Sequence, residues 1–330
     1  MSISEEAQKL KDYVVMLRRY FHTNPELSLK EFNTAKKIEE ELDKDGIAHE
    51  RVGETGILGV INGKKPGKTI LLRADIDALP IQEVNDVPYK SVNKGVMHAC
   101  GHDAHAAGLL GAAKILSAHK NDFNGKILLC FQPAEEIGNG AQQFIDGGKL
   151  KNVDRTFGIH VASSLKAGTI GVKIGEANAS CDYFKISVTG KTAHASKPHL
   201  GIDALYIASL IVVQLQSVVS RLVDPAHTAV VSIGKMEAGT AYNIVAGNAV
   251  IEGTTRSFSI EMRKHVNESV TRIAEDIGRT YGAKVTVEFV DYALPVVNNA
   301  KISEEVIQAA SEVVGKENVN TNLEKSFGAD

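Results

Sequence analysis

The sequence predicts an α/β protein in which a helix-flanked sheet is interrupted by a smaller two-layer unit. Three observations carry that prediction. Short apolar runs at 69–75, 125–132 and 155–161 are separated by helical stretches, and each ends in polar, metal-type side chains. That is how a sheet presents a site along the carboxyl edge of its strands. From Cys181 the order becomes β-α-β-β-α-β over residues 180–292, a ferredoxin-like signature. Finally, the nine residues Met97-His-Ala-Cys-Gly-His-Asp-Ala-His105 hold a thiol, three imidazoles and a carboxylate.

At 330 residues the chain is long enough for two domains of about 100–200 residues each. A hydrophobic share of 43% supports full-sized cores. The net charge of -3, with both signs mixed along the chain, points to neither nucleic acid nor an anionic membrane surface. Three scattered cysteines make no disulfide framework and fit a reducing compartment, so a cytoplasmic protein is expected. The first residues, acidic and then mixed in charge, lack the pattern of a signal peptide. No membrane span is expected, since no run of about 20 apolar residues is evident.

Taken in order, 4–22 reads as one amphipathic helix through Leu10, Val14, Leu17 and Phe21, stopped by Pro25. A second helix, 34–42, closes at Asp45-Gly46. Residues 52–62 suggest a strand pair around Gly56 and Gly59, and 64–67 a turn. The buried strand 69–75 brings Arg73, Asp75 and Asp77 forward as site candidates, although turn formers after a strand look the same. In the nine-residue stretch, Cys100 and His102 flank Gly101, which lets the backbone turn so that two side chains converge. Thiolate with imidazole suits zinc or a neighbouring divalent metal. The plainer alternative is a polar loop with a buried structural cysteine. The helix that follows, 104–119, is apolar nearly all round and should be buried. Asp103 sits near its N-terminus, where the dipole favours a carboxylate, and can orient a metal ligand from behind. Strand 125–132 ends in Pro133-Ala-Glu-Glu136. Alternation in extended backbone implies that Glu135 and Glu136 point apart, one to bind metal and one to move protons. Strand 155–161 ends at His160.

In the inserted unit, strand 183–189, helix 201–222, strands 228–236 and 246–255, helix 261–281 and strand 284–292 follow in turn. A tail, 294–330, contains a helix at 302–314. His194 lies in a loop bounded by glycine and proline. Asn243 and Arg256 flank a hairpin strand, and each alone also reads as a surface polar residue.

Together these pieces resemble the metal-dependent amidohydrolases that include hippurate hydrolases, N-acyl-amino-acid deacylases and indole-acetyl-amino-acid hydrolases, within the carboxypeptidase and aminoacylase superfamily. The resemblance runs through Arg18-Arg19, His22, Pro25-Glu26, Arg73-Ala-Asp-Ile-Asp-Ala-Leu-Pro80, Met97 to Asp103, Phe131-Gln-Pro-Ala-Glu-Glu136, Gly158-Ile-His160 and Gly190-Lys-Thr-Ala-His-Ala195. It implies a zinc-peptidase-like catalytic domain, mixed sheet with flanking helices, from 1–179 and 293–330. It also implies a lid and dimerisation domain at 180–292. Cys100, His102, Glu136 and His160 would hold two divalent ions (zinc, manganese, cobalt or nickel), with Asp75 and Asp103 supporting the ligands. Glu135 would be the general acid/base, and His194 would steady the oxyanion in the neighbouring subunit's site. Asn243 and Arg256 would contact substrate. The implied activity is hydrolysis of the linear amide of small N-acyl amino acids by a homodimer. A dipeptidase or other exopeptidase shares these parts. A cysteine hydrolase using Cys100 with His102 or His98 would leave Glu135, Glu136 and His160 without a role. The family also carries a metal-binding histidine beyond a segment that Ser326-Phe-Gly-Ala-Asp330 resembles. The expectation is therefore of a catalytic domain lacking that ligand, with an inactive relative as the alternative.

Overall fold

The computed structural model describes residues 3–328, the side chains of residues 291 and 292 excepted. Ala329 and Asp330, where the tail's resemblance ends, lie outside the described residues. The chain forms two compact units that divide between Ala167 and Gly168.

The first unit begins with α1 (Ile3–Lys9) and α2 (Lys11–Thr23), so the predicted single helix is interrupted at Leu10. Next come α3 (Phe32–Lys44), β1 (Ala48–Val52), β2 (Gly56–Asn62), β3 (Thr69–Asp75), α4 (His102–Ala118), β4 (Lys126–Gln132), α5 (Gly140–Asp146) and β5 (Arg155–Gly158). The strands form one mixed sheet in the order β1-β2-β4-β3-β5. Its first two pairings are antiparallel and its last two parallel. Near-continuous apolar runs in β2, β3 and β4 follow from burial on both faces. On one face Leu17, Phe21, Ile38, Leu42, Ala106 and Leu110 of the helices pack on Ile57, Ala74, Leu129 and Phe131. On the other, Phe144 of α5 packs with Leu58, Leu71, Leu128 and Cys130.

The second unit holds β6 (Ile170–Gly171), β7 (Gly175–Asn178), β8 (Cys181–Thr189), α6 (Ala204–Ser217), β9 (Ala229–Ala238), β10 (Asn248–Ser257), α7 (Ile260–Thr280), β11 (Lys284–Ala293), β12 (Val296–Asn298), α8 (Ala300–Val314) and β13 (Val319–Asn320). Four strands make an antiparallel sheet in the order β11-β8-β10-β9, the ferredoxin-like arrangement. Alternation along β8 buries Asp182, Phe184, Ile186 and Val188 on one face. There they meet Ile207, Ile211 and Leu215 of α6 and Val266 and Val270 of α7. Short pairings of β7 with β12 and β6 with β13 tie residues 170–178 to the tail.

Contrary to expectation, one stretch is long and apolar enough to span a membrane by length and composition. It is Ala204–Leu222, with mean hydropathy 1.5. Its inner residues Ile207, Ala208, Ile211, Leu215 and Val218 are core of this unit, and the helix continues past Ser217 as a π-helical turn.

The one acidic group wholly buried in this sheet, among the described residues, is Asp182. Its carboxylate accepts from Arg263 Nε at 2.9 Å and Nη2 at 2.5 Å. Removing one member of a buried pair strands the other's charge, at a cost of about 3–5 kcal/mol. Asp182→Ala is therefore expected to lower the urea midpoint of this unit correspondingly. An unchanged midpoint would show that the pair contributes no net stability.

Candidate metal centre

The parallel strands end nearly level. Asp75 pairs with Gln132 and Arg73 with Gly158, so the segments leaving β3, β4 and β5 emerge side by side. Between β3 and α4 the chain returns to the same edge. Gly101 has φ +94°, a left-handed conformation that starts α4 and turns Cys100 and His102 towards one point.

His102 is the centre of the cluster. It is 1% exposed, and its Nδ1 donates to the Asp77 carbonyl at 2.9 Å. Its Nε2 is buried with no hydrogen-bond partner. Around that nitrogen stand Asp75 Oδ2 at 3.7 Å, Glu135 Oε2 at 3.8 Å and Glu136 Oε1 at 3.8 Å. These distances are too long for hydrogen bonds. They suit donor atoms sharing a cation about 2 Å from each. Cys100 Sγ lies 3.4 Å from His160 Nε2, and Cys100, His102 and His160 form a donor group, as do His102, Glu135 and Glu136. The residues present thus fit a divalent metal.

Glu135 and Glu136 do not point apart. The chain leaves extended geometry at Ala134, which has φ +51°, and residues 135–138 turn back, with Gly138 N–H donating to Glu135 O at 2.8 Å. Buried Glu31 holds this bend by accepting from Ala134 N–H at 2.8 Å. Asp77 Oδ2 accepts from Glu136 N–H at 3.1 Å.

The electrostatics follow from burial and crowded charge. Burial disfavours the His102 imidazolium, but the hydrogen bond with Asp77, the neighbouring Cys100 sulfur and the charges of Asp75 and Asp77 outweigh it and raise its pKa to about 11. Burial, aided by the Glu136 charge, pushes Glu135 up to about 7 against the pull of His102. The neighbouring His102 imidazole and the contact with His160 lower the Cys100 thiol. Asp75 resists burial's upward push through its bond to His105 and the charge of Arg73, and stays well below the usual carboxylate range.

The other predicted residues lie elsewhere. Asp103 faces α2, ion-paired with Arg18 Nε and hydrogen-bonded to His22 Nδ1, both at 2.8 Å. His22 also meets Glu83 at 3.1 Å. In the second unit, His194 and Asn243 lie on neighbouring backbone segments, with Ala195 N–H donating to Asn243 O at 3.0 Å. The His194 ring nitrogen Nδ1 accepts from Ser196 N–H at 3.1 Å. Arg256, on β10, donates to the Thr255 carbonyl at 3.1 Å and the Phe327 carbonyl at 3.3 Å. Sequence reasoning passed over His105, which joins Asp75 and His102 in a third donor group. The signal was its three-residue spacing from His102, which puts both on one helix face. A cleft of about 680 Å³ opens beside the cluster, lined by Arg18, Tyr89, His98, Cys100, His160 and Ser163 among others.

A thiol, two imidazoles and two carboxylates at the carboxyl edge of a mixed sheet define a metallohydrolase-type centre. The chain belongs to Peptidase family M20/M25/M40, whose family model matches residues 71–330. It is 41% identical to thermostable carboxypeptidase 2 of Saccharolobus solfataricus, over 99% of this chain and 86% of that one. It is 40% identical to an N-acyl-L-amino acid amidohydrolase of Geobacillus stearothermophilus, over 90% of this chain and 80% of that one. Its structure resembles a dinuclear metal binding peptidase of the M20 family from Bacillus subtilis, with TM-score 0.84 and 36% identity, covering 98% of this chain and 84% of that one.

With its pKa near 11, His102 holds a proton at neutral pH that a divalent ion must displace. Metal affinity should therefore rise with pH, and uptake at pH 7 should release about one proton or more per ion. Calorimetry in two buffers of different ionisation enthalpy reads this directly. Equal heats in both would contradict a protonated His102.

Proposed function

We propose that this chain hydrolyses the amide bond of N-acyl amino acids (acetyl, benzoyl or similar), releasing a carboxylic acid and a free amino acid. The observation that carries the reading is Glu135, a largely buried carboxylate that faces the same imidazole nitrogen of His102 as the neighbouring Glu136, each at 3.8 Å. Cys100, His102, Glu136 and His160 would hold two divalent ions, zinc, manganese, cobalt or nickel, given the mixture of sulfur, nitrogen and oxygen donors. Such ions supply Lewis acidity, polarising a carbonyl and making water a nucleophile near neutral pH. The chain's own part is proton transfer and orientation. Glu135 takes the proton of the attacking water and returns it to the leaving nitrogen. Asp75 and Asp77 hold His102 in place by charge and hydrogen bond.

His194 is proposed to steady the oxyanion, and Asn243 and Arg256 to receive the substrate's carboxylate and carbonyl. His194 would act from the partner subunit of a homodimer formed through residues 180–292. Exposed apolar side chains on α6, Leu205, Tyr206 and Val213, support an interface there. Three free cysteines support a reducing, cytoplasmic setting.

The likeness to a carboxypeptidase favours one second reading, an exopeptidase acting on short peptides. Amine release from N-acyl amino acids and from plain peptides, with and without a chelator, separates the two. Chelator-sensitive release confined to peptides would replace the deacylase reading. Glu135→Gln is expected to keep its metal and to lose about 10²–10⁴-fold in kcat. Full turnover in that variant would remove Glu135 from the proton path.

A further inference from the structure

Asp75, His102 and His105 form a wholly buried group of donors, and a further cation site is one way to read it. The hydrogen bonds say otherwise. His105 Nδ1 lies 2.5 Å from Asp75 Oδ1, and His105 Nε2 accepts the Val161 N–H at 2.9 Å. A nitrogen that accepts an N–H carries no proton, so the proton sits on Nδ1 and is donated to Asp75. Both ring nitrogens are used, and no lone pair remains for a metal.

The Val161 contact matters because of what precedes it. His160 stands at the start of an exposed segment beyond β5, where Ile159 is 62% and Val161 46% exposed. That segment has two seats at the start of α4, one on its first turn and one on the glycine before it. Its Val161 amide rests on His105, and its Val161 side chain lies over Gly101, where a Cβ would stand 2.3 Å from Cγ2. The His105 and His160 rings meet edge to face with centroids 4.6 Å apart.

We infer that His105 is a positioning residue. It relays the fixed end of β3, through Asp75, to the Val161 amide, and so sets where His160 stands relative to Cys100 and His102. This role presupposes the metal centre proposed above, with His160 as a ligand and His105 outside the ligand set. Supporting groups of this kind typically change metal affinity or activity by about 10–100-fold.

Two variants split the two bonds. His105→Asn keeps a donor near Nδ1 for Asp75 but falls short of Val161. His105→Gln brings a carbonyl oxygen to the place of Nε2, where it accepts the Val161 N–H. Metal content after dialysis and cobalt(II) affinity by titration are the readouts. Both variants should keep the wild-type number of ions per chain. His105→Asn should bind cobalt about 10–100-fold more weakly, and His105→Gln should recover most of that loss. Loss of one ion in both would make His105 a ligand and overturn the inference. So would wild-type affinity in His105→Asn. Long-range proton–nitrogen correlation of the imidazoles in the wild-type chain needs no variant: the Nδ1–H tautomer of His105 is expected, and the Nε2–H tautomer would overturn the tether. A wild-type chain that takes up no metal would sink the proposed centre, while the tautomer would still decide the tether.

Discussion

Parallel pairing of β3 with β4 on one side and β5 on the other sets Asp75 beside Gln132 and Arg73 beside Gly158. The chemistry of the first unit depends on that register. Glu135 and Glu136 follow Gln132 by three and four residues, and His160 follows Gly158 by two. A slip of one residue would move each side chain to the opposite face of the sheet and the donors out of reach of His102. Register is in turn enforced by burial. Leu71 and Leu128 face one apolar cluster, while Ala74, Leu129 and Phe131 face the other, so neither face tolerates inversion.

The raised pKa values of His102 and Glu135 express one field. Asp75, Asp77, Glu135 and Glu136 crowd around a point screened from water, and one imidazole sits among them. Excess negative charge there keeps a proton on His102 and makes a second ionised glutamate costly. A divalent cation satisfies the same field more fully than a proton. It would expel the proton of His102 and draw Glu135 towards its ionised form. Proton and metal thus compete for one place, and the acid/base group beside it is tuned by whichever occupies it.

The sequence showed what depends on local pattern. Continuous apolar runs foretold β3 and β4, the βαββαβ order foretold the antiparallel sheet of the second unit, and Gly101 foretold the turn that joins Cys100 to His102, whereas the strand pair expected within 52–62 is the single strand β2, paired with β1 ahead of it. What it hid depends on contacts distant along the chain. The bend at Ala134 that turns both glutamates inward is held by Glu31, and no alternation rule sees a partner 103 residues away. The short pairings of β6 with β13 and β7 with β12 join segments separated along the chain by the whole four-stranded sheet. The apolar run of Ala204–Leu222 is masked in the sequence because two glutamines and three serines break it at intervals. His105 looked like one more histidine of the motif until the Val161 amide gave its Nε2 a partner.

Buried polar groups are distributed unevenly between the two units, and the pattern separates scaffold from site. In the second unit the buried polar residues among those described are hydroxyls and the single carboxylate of Asp182, answered by Arg263. In the first, His22, Glu31, Asp75, Asp77, Glu83, His98, His102, Asp103 and His105 are all buried. Most act on geometry rather than on the reacting centre. Glu31 bends the β4 exit, and Asp103 with His22 and Arg18 fixes the start of α4 against α2. Asp75 with His105 seats the His160 segment. Each such group costs desolvation energy that apolar packing would not. What they provide is direction, because a hydrogen bond fixes distance and angle where dispersion fixes only volume. Donors that must converge to within tenths of an ångström on one ion need that direction, and a shell of apolar contacts alone would leave them loose.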